Sequence, residues 1–130
     1  MQKILLQETD PSILDVLTIA LQTENFDVHG RLFYDDLLAA IQEFRPQVVL
    51  LDYRLNGTDS AEACRLIKTA FPWLPVLALS CNARINFEYK EKGFDDYIKK
   101  PFDLCVLFKI VRKYIKEEIG FQQYFEGADS

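Results

Sequence analysis

The chain has 130 residues, 49% of them apolar and 27% charged, and a formal net charge of −5. These figures fit one domain of ordinary globular composition and exclude disorder, a collagen-like repeat and a disulfide scaffold. No apolar run exceeds five residues (37–41, for example), far short of the roughly 20 residues of a membrane span, and the acidic balance argues against a nucleic-acid surface. Residues 1–6 lack the apolar stretch and small-residue cleavage site of a signal peptide. Cys64, Cys81 and Cys105 are widely spaced and read as buried small apolar residues in a reducing compartment. The expectation is a soluble, cytoplasmic domain.

In chain order, Lys3–Gln7 is the first predicted strand, and its apolar run KILL suits a strand covered on both faces. Asp10 then stands as N-cap with Pro11 and Ser12 in the first turn, and Ile13, Val16, Leu17 and Ala20 form one helical face. Residues 26–30 alternate apolar and polar, as an edge strand does. Residues 35–44 place Leu37, Leu38 and Ile41 together before Pro46 stops the helix. Val48–Asp52 is a second apolar strand, followed by a helix over 61–70 that buries Ala63, Leu66, Ile67 and Ala70. Residues 75–80 form the next strand. The segment 84–92 alternates Ile85, Phe87 and Tyr89 like a strand, but its Glu and Lys content and Gly93 favour a helix. A strand at Asp96–Lys99 and a helix over 102–115, carrying Leu104, Leu107, Phe108, Val111 and Ile115, complete the pattern.

Five strand–helix repeats predict a doubly wound α/β fold with right-handed crossovers. In such sheets ligands gather beyond the carboxyl ends of the strands. The residues there are Glu8, Thr9 and Asp10 after strand one, Asp52 closing strand three, Ser80 closing strand four, and Lys100 with Pro101 after strand five. Carboxylates crowded at one rim suit a hard divalent cation with oxygen preference, and an ammonium and a hydroxyl beside them suit phosphoryl oxygens. The sequence holds neither a GxGxxG nor a Walker pattern, so the site is built from side chains and not from a glycine-rich cradle.

Four motifs in order, KILLQETDP, PQVVLLDYRLNGTDS, PVLALS and GFDDYIKKPF, resemble the receiver domain of two-component response regulators, the CheY-like family. The resemblance covers about residues 2–116. It implies a five-stranded parallel sheet in the order 2-1-3-4-5, a receiver domain over 1–116, and a tail or linker start over 117–130. It also implies that Asp52 accepts a phosphoryl group from a histidine kinase or phosphotransfer protein. Lys100 would pair with the phosphoryl oxygens, aimed by a cis bond to Pro101; Ser80 would follow the phosphoryl group and Tyr97 would change rotamer with it. Mg²⁺ would be held by Glu8, Asp52 and the Arg54 backbone carbonyl, with Asp59 capping the third helix. No enzyme is implied beyond self-catalysed phosphorylation and dephosphorylation. A downstream protein would dock on the fourth helix, fifth strand and fifth helix; a homodimer is a further option, and neither nucleic acid nor membrane is expected for this domain.

Three departures qualify the resemblance. Thr9 replaces the family's second acid after strand one, so Mg²⁺ affinity should be weakened; losing a carboxylate near a cation costs on the order of several kcal/mol before water compensates. Gln7 is polar where an apolar residue is usual, which suggests a modified rim. The stretch between Ser80 and Gly93 is shorter than the family commonly shows, so the fourth helix or its loop must shrink. His29, the single histidine, reads as a surface or packed residue. The alternatives left open are a phosphorylation-independent pseudo-receiver and another doubly wound binding protein, although a flavin site would need a Ser/Thr/Gly-rich loop after strand one.

Overall fold

The computed structural model describes residues 1–100 and 102–115. The elements run β1 (Lys3–Gln7), α1 (Pro11–Thr23), β2 (Asp27–Arg31), α2 (Leu37–Phe44), β3 (Val48–Asp52), α3 (Thr58–Ala70), β4 (Val76–Ser80), α4 (Ile85–Glu88), β5 (Asp96–Lys99) and α5 (Leu104–Tyr114). All neighbouring strands pair in parallel, in the order β2-β1-β3-β4-β5. This is the predicted doubly wound sheet with β2 at an edge. Pro101 and the tail over 117–130 lie outside the described residues.

Side-chain alternation along the strands divides the core in two. Leu5, Val49, Leu51, Val76 and Ala78 face one side with Ile41 of α2, Ile67 of α3 and Ile85 of α4. Ile4, Leu6, Val48, Leu50, Leu77 and Leu79 face the other with Leu17 and Leu21 of α1 and Leu107 and Val111 of α5. The same alternation sets the faces at the strand ends. Asp52 follows Leu50 and Glu8 follows Leu6, so both turn toward the α1/α5 side.

Helix faces are where the sequence reading needs correction. Val16 is 61% exposed, because it sits about 100° around α1 from Leu17, which meets the sheet. Leu66 stands in the same relation to Ile67 and is exposed, as are Ala70, Leu38 and Leu104. Only Cys64 of the three thiols is buried; Cys81 and Cys105 are exposed. α4 is a single turn, Ile85–Glu88, instead of 84–92; the chain beyond it continues in hydrogen-bonded turns, with Lys92 N–H to Glu88 O and Gly93 N–H to Lys90 O. α3 starts earlier than predicted, at Thr58, and its N-cap is Gly57 at φ 79°. Asp59 therefore lies in the first turn and does not cap the helix. The local acceptor is the Asn56 side chain, which receives the Thr58 N–H at 3.1 Å.

Candidate functional site

The site lies where the parallel strands end. β1 stops at Gln7, paired with Leu51, and β3 runs one residue further to Asp52, paired with Leu79 of β4. Glu8, Thr9, Asp10, Asp52, Arg54 and Lys100 line one cleft of about 790 Å³, with Cys81 and Leu55 also on its walls. Five of the sequence-predicted residues, Glu8, Thr9, Asp52, Arg54 and Lys100, thus come together.

Lys100 is the centre of the charge network. Its Nζ donates to Asp52 Oδ1 at 2.9 Å and also to Glu8 Oε1. Burial acts to lower the Lys100 pKa, but the hydrogen bonds it donates to Glu8 and Asp52 outweigh it, and the ammonium is held above its ordinary value. The remaining carboxylate oxygens bind main chain: Glu8 Oε2 accepts from the Asp10 N–H at 2.9 Å, and Asp52 Oδ2 from the Thr9 N–H at 3.3 Å. Asp10 is engaged as a helix cap, accepting from the N–H groups of Ser12 and Ile13.

The backbone of Asp52 is also held by side chains. Gln7 is fully buried; its Oε1 accepts the Asp52 N–H at 3.1 Å while its Nε2 donates to Leu32 O at 3.0 Å and to Thr9 Oγ1 at 3.3 Å. The Tyr34 hydroxyl donates to the Asp52 carbonyl. Burial and then the charge of Asp52 push the Tyr34 hydroxyl well above the ordinary tyrosine range. Tyr34 was not foreseen, and no sequence signal marks it: a tyrosine in the segment after β2 is unremarkable until the fold brings it to Asp52.

Ser80 and Tyr97 sit elsewhere. Ser80 is fully buried at the end of β4, its Oγ accepting the Asn82 N–H at 2.9 Å, and it does not line the cleft. Alternation turns it with Ala78 toward the α2/α3/α4 face. Tyr97 pairs with Ala78 and packs against Tyr89 at 5.0 Å between ring centroids. Both therefore stand on one side of the sheet, behind the cleft. Tyr53, which follows Asp52, reaches that side too: its hydroxyl donates to Glu88 Oε1 of α4 at 2.7 Å, and its ring meets Phe94 edge-on.

Whether this donor set suits Mg²⁺ follows from its oxygens. Among the described residues no three His, Cys, Asp or Glu side chains are grouped to hold an ion. Two carboxylates remain, with the Arg54 carbonyl, which accepts the Gly57 N–H at 2.8 Å and keeps a second lone pair. Mg²⁺ commonly takes one or two carboxylates and retains several waters, so the set fits a water-rich ion. Any ion must share both carboxylates with Lys100.

Residues 4–112 match the model of the response regulator receiver domain. The chain is 36% identical over 117 residues to the DNA-binding response regulator MtrA of Mycolicibacterium smegmatis, a match covering 88% of this chain and 51% of that protein. The chain spans about half the length of the curated relatives it matches. Among solved structures, the receiver domain of NtrX from Brucella abortus is similar at TM-score 0.76 and 29% identity, over 85% of this chain and 96% of that one. The receiver domain of the sensor histidine kinase PA1611 from Pseudomonas aeruginosa, which carries a magnesium ion in its active-site cleft, is similar at TM-score 0.76 and 26% identity, over 87% and 96%. With the sheet order and the match over 4–112 agreeing, the chain belongs to the response regulator receiver domains of two-component signalling.

Proposed function

We propose that this domain accepts a phosphoryl group on Asp52 from the phosphohistidine of a histidine kinase or phosphotransfer protein. A carboxylate oxygen of Asp52 attacks phosphorus, the P–N bond breaks, and its electron pair leaves with the donor imidazole. The product is an acyl phosphate on Asp52. Lys100 moves from the carboxylate to the phosphoryl oxygens, so one ammonium stabilises the site before and after transfer. A magnesium ion held by Glu8, Asp52 and the Arg54 carbonyl would offset charge on the incoming phosphoryl oxygens. The chain's own contribution to that ion is reduced, because Thr9 supplies no charge and Lys100 already offsets one of the two carboxylate charges.

The observation that carries this reading is the Asp52–Lys100 contact of 2.9 Å in a cleft at the carboxyl edge of the sheet. Ser80 and Tyr97 then act from the far face, where a change of hydroxyl position reaches α4 and β5, the strand against which α5 packs from the other side. The surface of α4, β5 and α5 is the docking face for a downstream protein. The setting is cytoplasmic; among the described residues no helix is long and apolar enough to cross a membrane. The matched relatives are DNA-binding regulators, and a DNA-binding effector beyond this domain is part of the same reading.

Incubation with acetyl phosphate and Mg²⁺ followed by intact mass tests it. The expected result is a gain of one phosphoryl mass that Asp52→Ala abolishes. A folded domain that gains nothing at high Mg²⁺ would instead be a phosphorylation-independent interaction module. Thr9→Asp should tighten Mg²⁺ binding in a fluorescence titration, and unchanged affinity would refute the account of the first acidic cluster.

A further inference from the structure

β1 and β3 pair as far as Gln7 and Leu51, so the Asp52 N–H lies at the last rung of this ladder, where the Gln7 side-chain Oε1 also accepts it at 3.1 Å. Asp52 is only 4% exposed, and the Gln7 side chain is fully buried beside it. Its orientation is fixed by chemistry: a flipped amide would set its NH₂ against the Asp52 N–H and its oxygen against the Leu32 carbonyl. On the other side of the same Cα, the Asp52 carbonyl is held by the Tyr34 hydroxyl. Both peptide planes flanking Asp52 are therefore pinned by side chains from two other segments. Gln7 reaches the carboxylate as well, since its Nε2 bonds Thr9 Oγ1 and the Thr9 N–H bonds Asp52 Oδ2.

We propose that Gln7 and Tyr34 are positioning residues for phosphoryl acceptance, holding the Asp52 backbone so that its carboxylate stays aligned against Lys100. The inference rests on the phosphoacceptor reading above. Neither residue touches the reacting atoms. Their effect is on alignment, and displacement of a reacting group by about 1 Å can cost on the order of a hundredfold in rate. Gln7 also accounts for the polar strand residue at a buried position. An apolar side chain there would fill the space but leave the Asp52 N–H and the Leu32 carbonyl without these bonds.

The test uses Gln7→Leu, which keeps bulk and apolar strand character, and Tyr34→Phe, which removes only the hydroxyl. Each is phosphorylated with acetyl phosphate at excess Mg²⁺, and the rate constant is expressed per folded molecule by far-UV circular dichroism. The expected result is a fall of about tenfold for Gln7→Leu and a smaller fall for Tyr34→Phe, on the alignment scale above. In an ¹⁵N–¹H spectrum the Asp52 amide of Gln7→Leu should shift and exchange faster. A core variant of comparable stability loss, Ile67→Val, should keep the parent rate, which a merely structural role for Gln7 would predict for all three. Rates within twofold of the parent for both site variants would overturn the inference alone. Failure of the parent chain to gain a phosphoryl group would overturn the acceptor reading and this inference with it. If Gln7→Leu does not fold, Tyr34→Phe decides.

Discussion

Replacing Lys100 with Met removes the one ammonium shared by two buried carboxylates. The side chains of Glu8 and Asp52 are 1% and 6% exposed, and Lys100 is 15% exposed. Carboxylates that bond a common ammonium lie within about 6 Å of each other. At an effective dielectric near 20, their repulsion without the cation is about 3 kcal/mol. Breaking a buried ion pair by deleting one partner costs roughly 3–5 kcal/mol in general. Here the N–H groups of Asp10 and Thr9 still bind the two carboxylates, which places Lys100→Met at the lower end, about 3 kcal/mol at pH 7. Urea unfolding followed by Trp73 fluorescence measures it. One feature identifies charge as the cause: excess Mg²⁺ should recover part of the loss in the variant and stabilise the parent less. A cost below about 1 kcal/mol at pH 7, or no recovery by Mg²⁺, would refute the ion-triad account.

Gly57→Ala should cost about 3 kcal/mol, from the positive φ and from overpacking against Tyr53. Gly57 sits at φ 79°, and an added Cβ would run into the Tyr53 ring and hydroxyl; in a double-mutant cycle, Gly57→Ala should therefore cost less in a Tyr53→Ala background than in the parent. Tyr53→Phe removes the hydroxyl bonds to Glu88 Oε1 and the Asn56 carbonyl, a loss of about 1–2 kcal/mol, and amide exchange should speed up selectively in α4. Stability should also fall with rising pH above 9, because burial and then the charge of Asp95 raise the Cys64 thiol from 9.0 to about 12. The unfolded thiol ionises first, so the stabilisation is complete below pH 9 and is lost as pH rises toward 12. The slope is about 1.4 kcal/mol per pH unit, and Cys64→Ala should flatten the change in urea midpoint between pH 9 and 10.

The sheet and the meeting of Asp52 with Lys100 were legible because both follow from repeating rules. Apolar runs of three or four residues (Ile4–Leu6, Val48–Leu51, Val76–Leu79), each closed by a polar residue and followed by a helical stretch, specify buried parallel strands. Once the strands are parallel, everything at their carboxyl ends shares one rim. The helix faces were less legible. Val16 and Leu66 are apolar and adjacent to the true inner stripe, and composition cannot tell the stripe from its shoulder, which the angle of the helix on the sheet decides. The Asp59 expectation failed for a similar reason. Asp is a good cap by type, but the chain enters α3 through Gly57 at positive φ, and that geometry puts Asn56 within reach of Thr58 instead.

The contacts that shape the surroundings of Asp52 were the least legible, and the reason is physical. Glu8 differs from an aspartate by one methylene, and in the folded chain it bonds Lys100. Gln7 and Tyr34 address main-chain groups of Asp52, and a main-chain donor or acceptor carries no residue identity for a pattern to detect. Their partners lie 45 and 18 residues away, so the bonds exist only after β1, β2 and β3 have packed. What the sequence did register was the cost: a glutamine in a strand that is otherwise apolar must find partners for two donors and an acceptor, or the fold loses stability. A polar residue out of pattern in a buried strand therefore points to polar partners nearby, and in this chain those are the Asp52 N–H, the Leu32 carbonyl and the Thr9 hydroxyl.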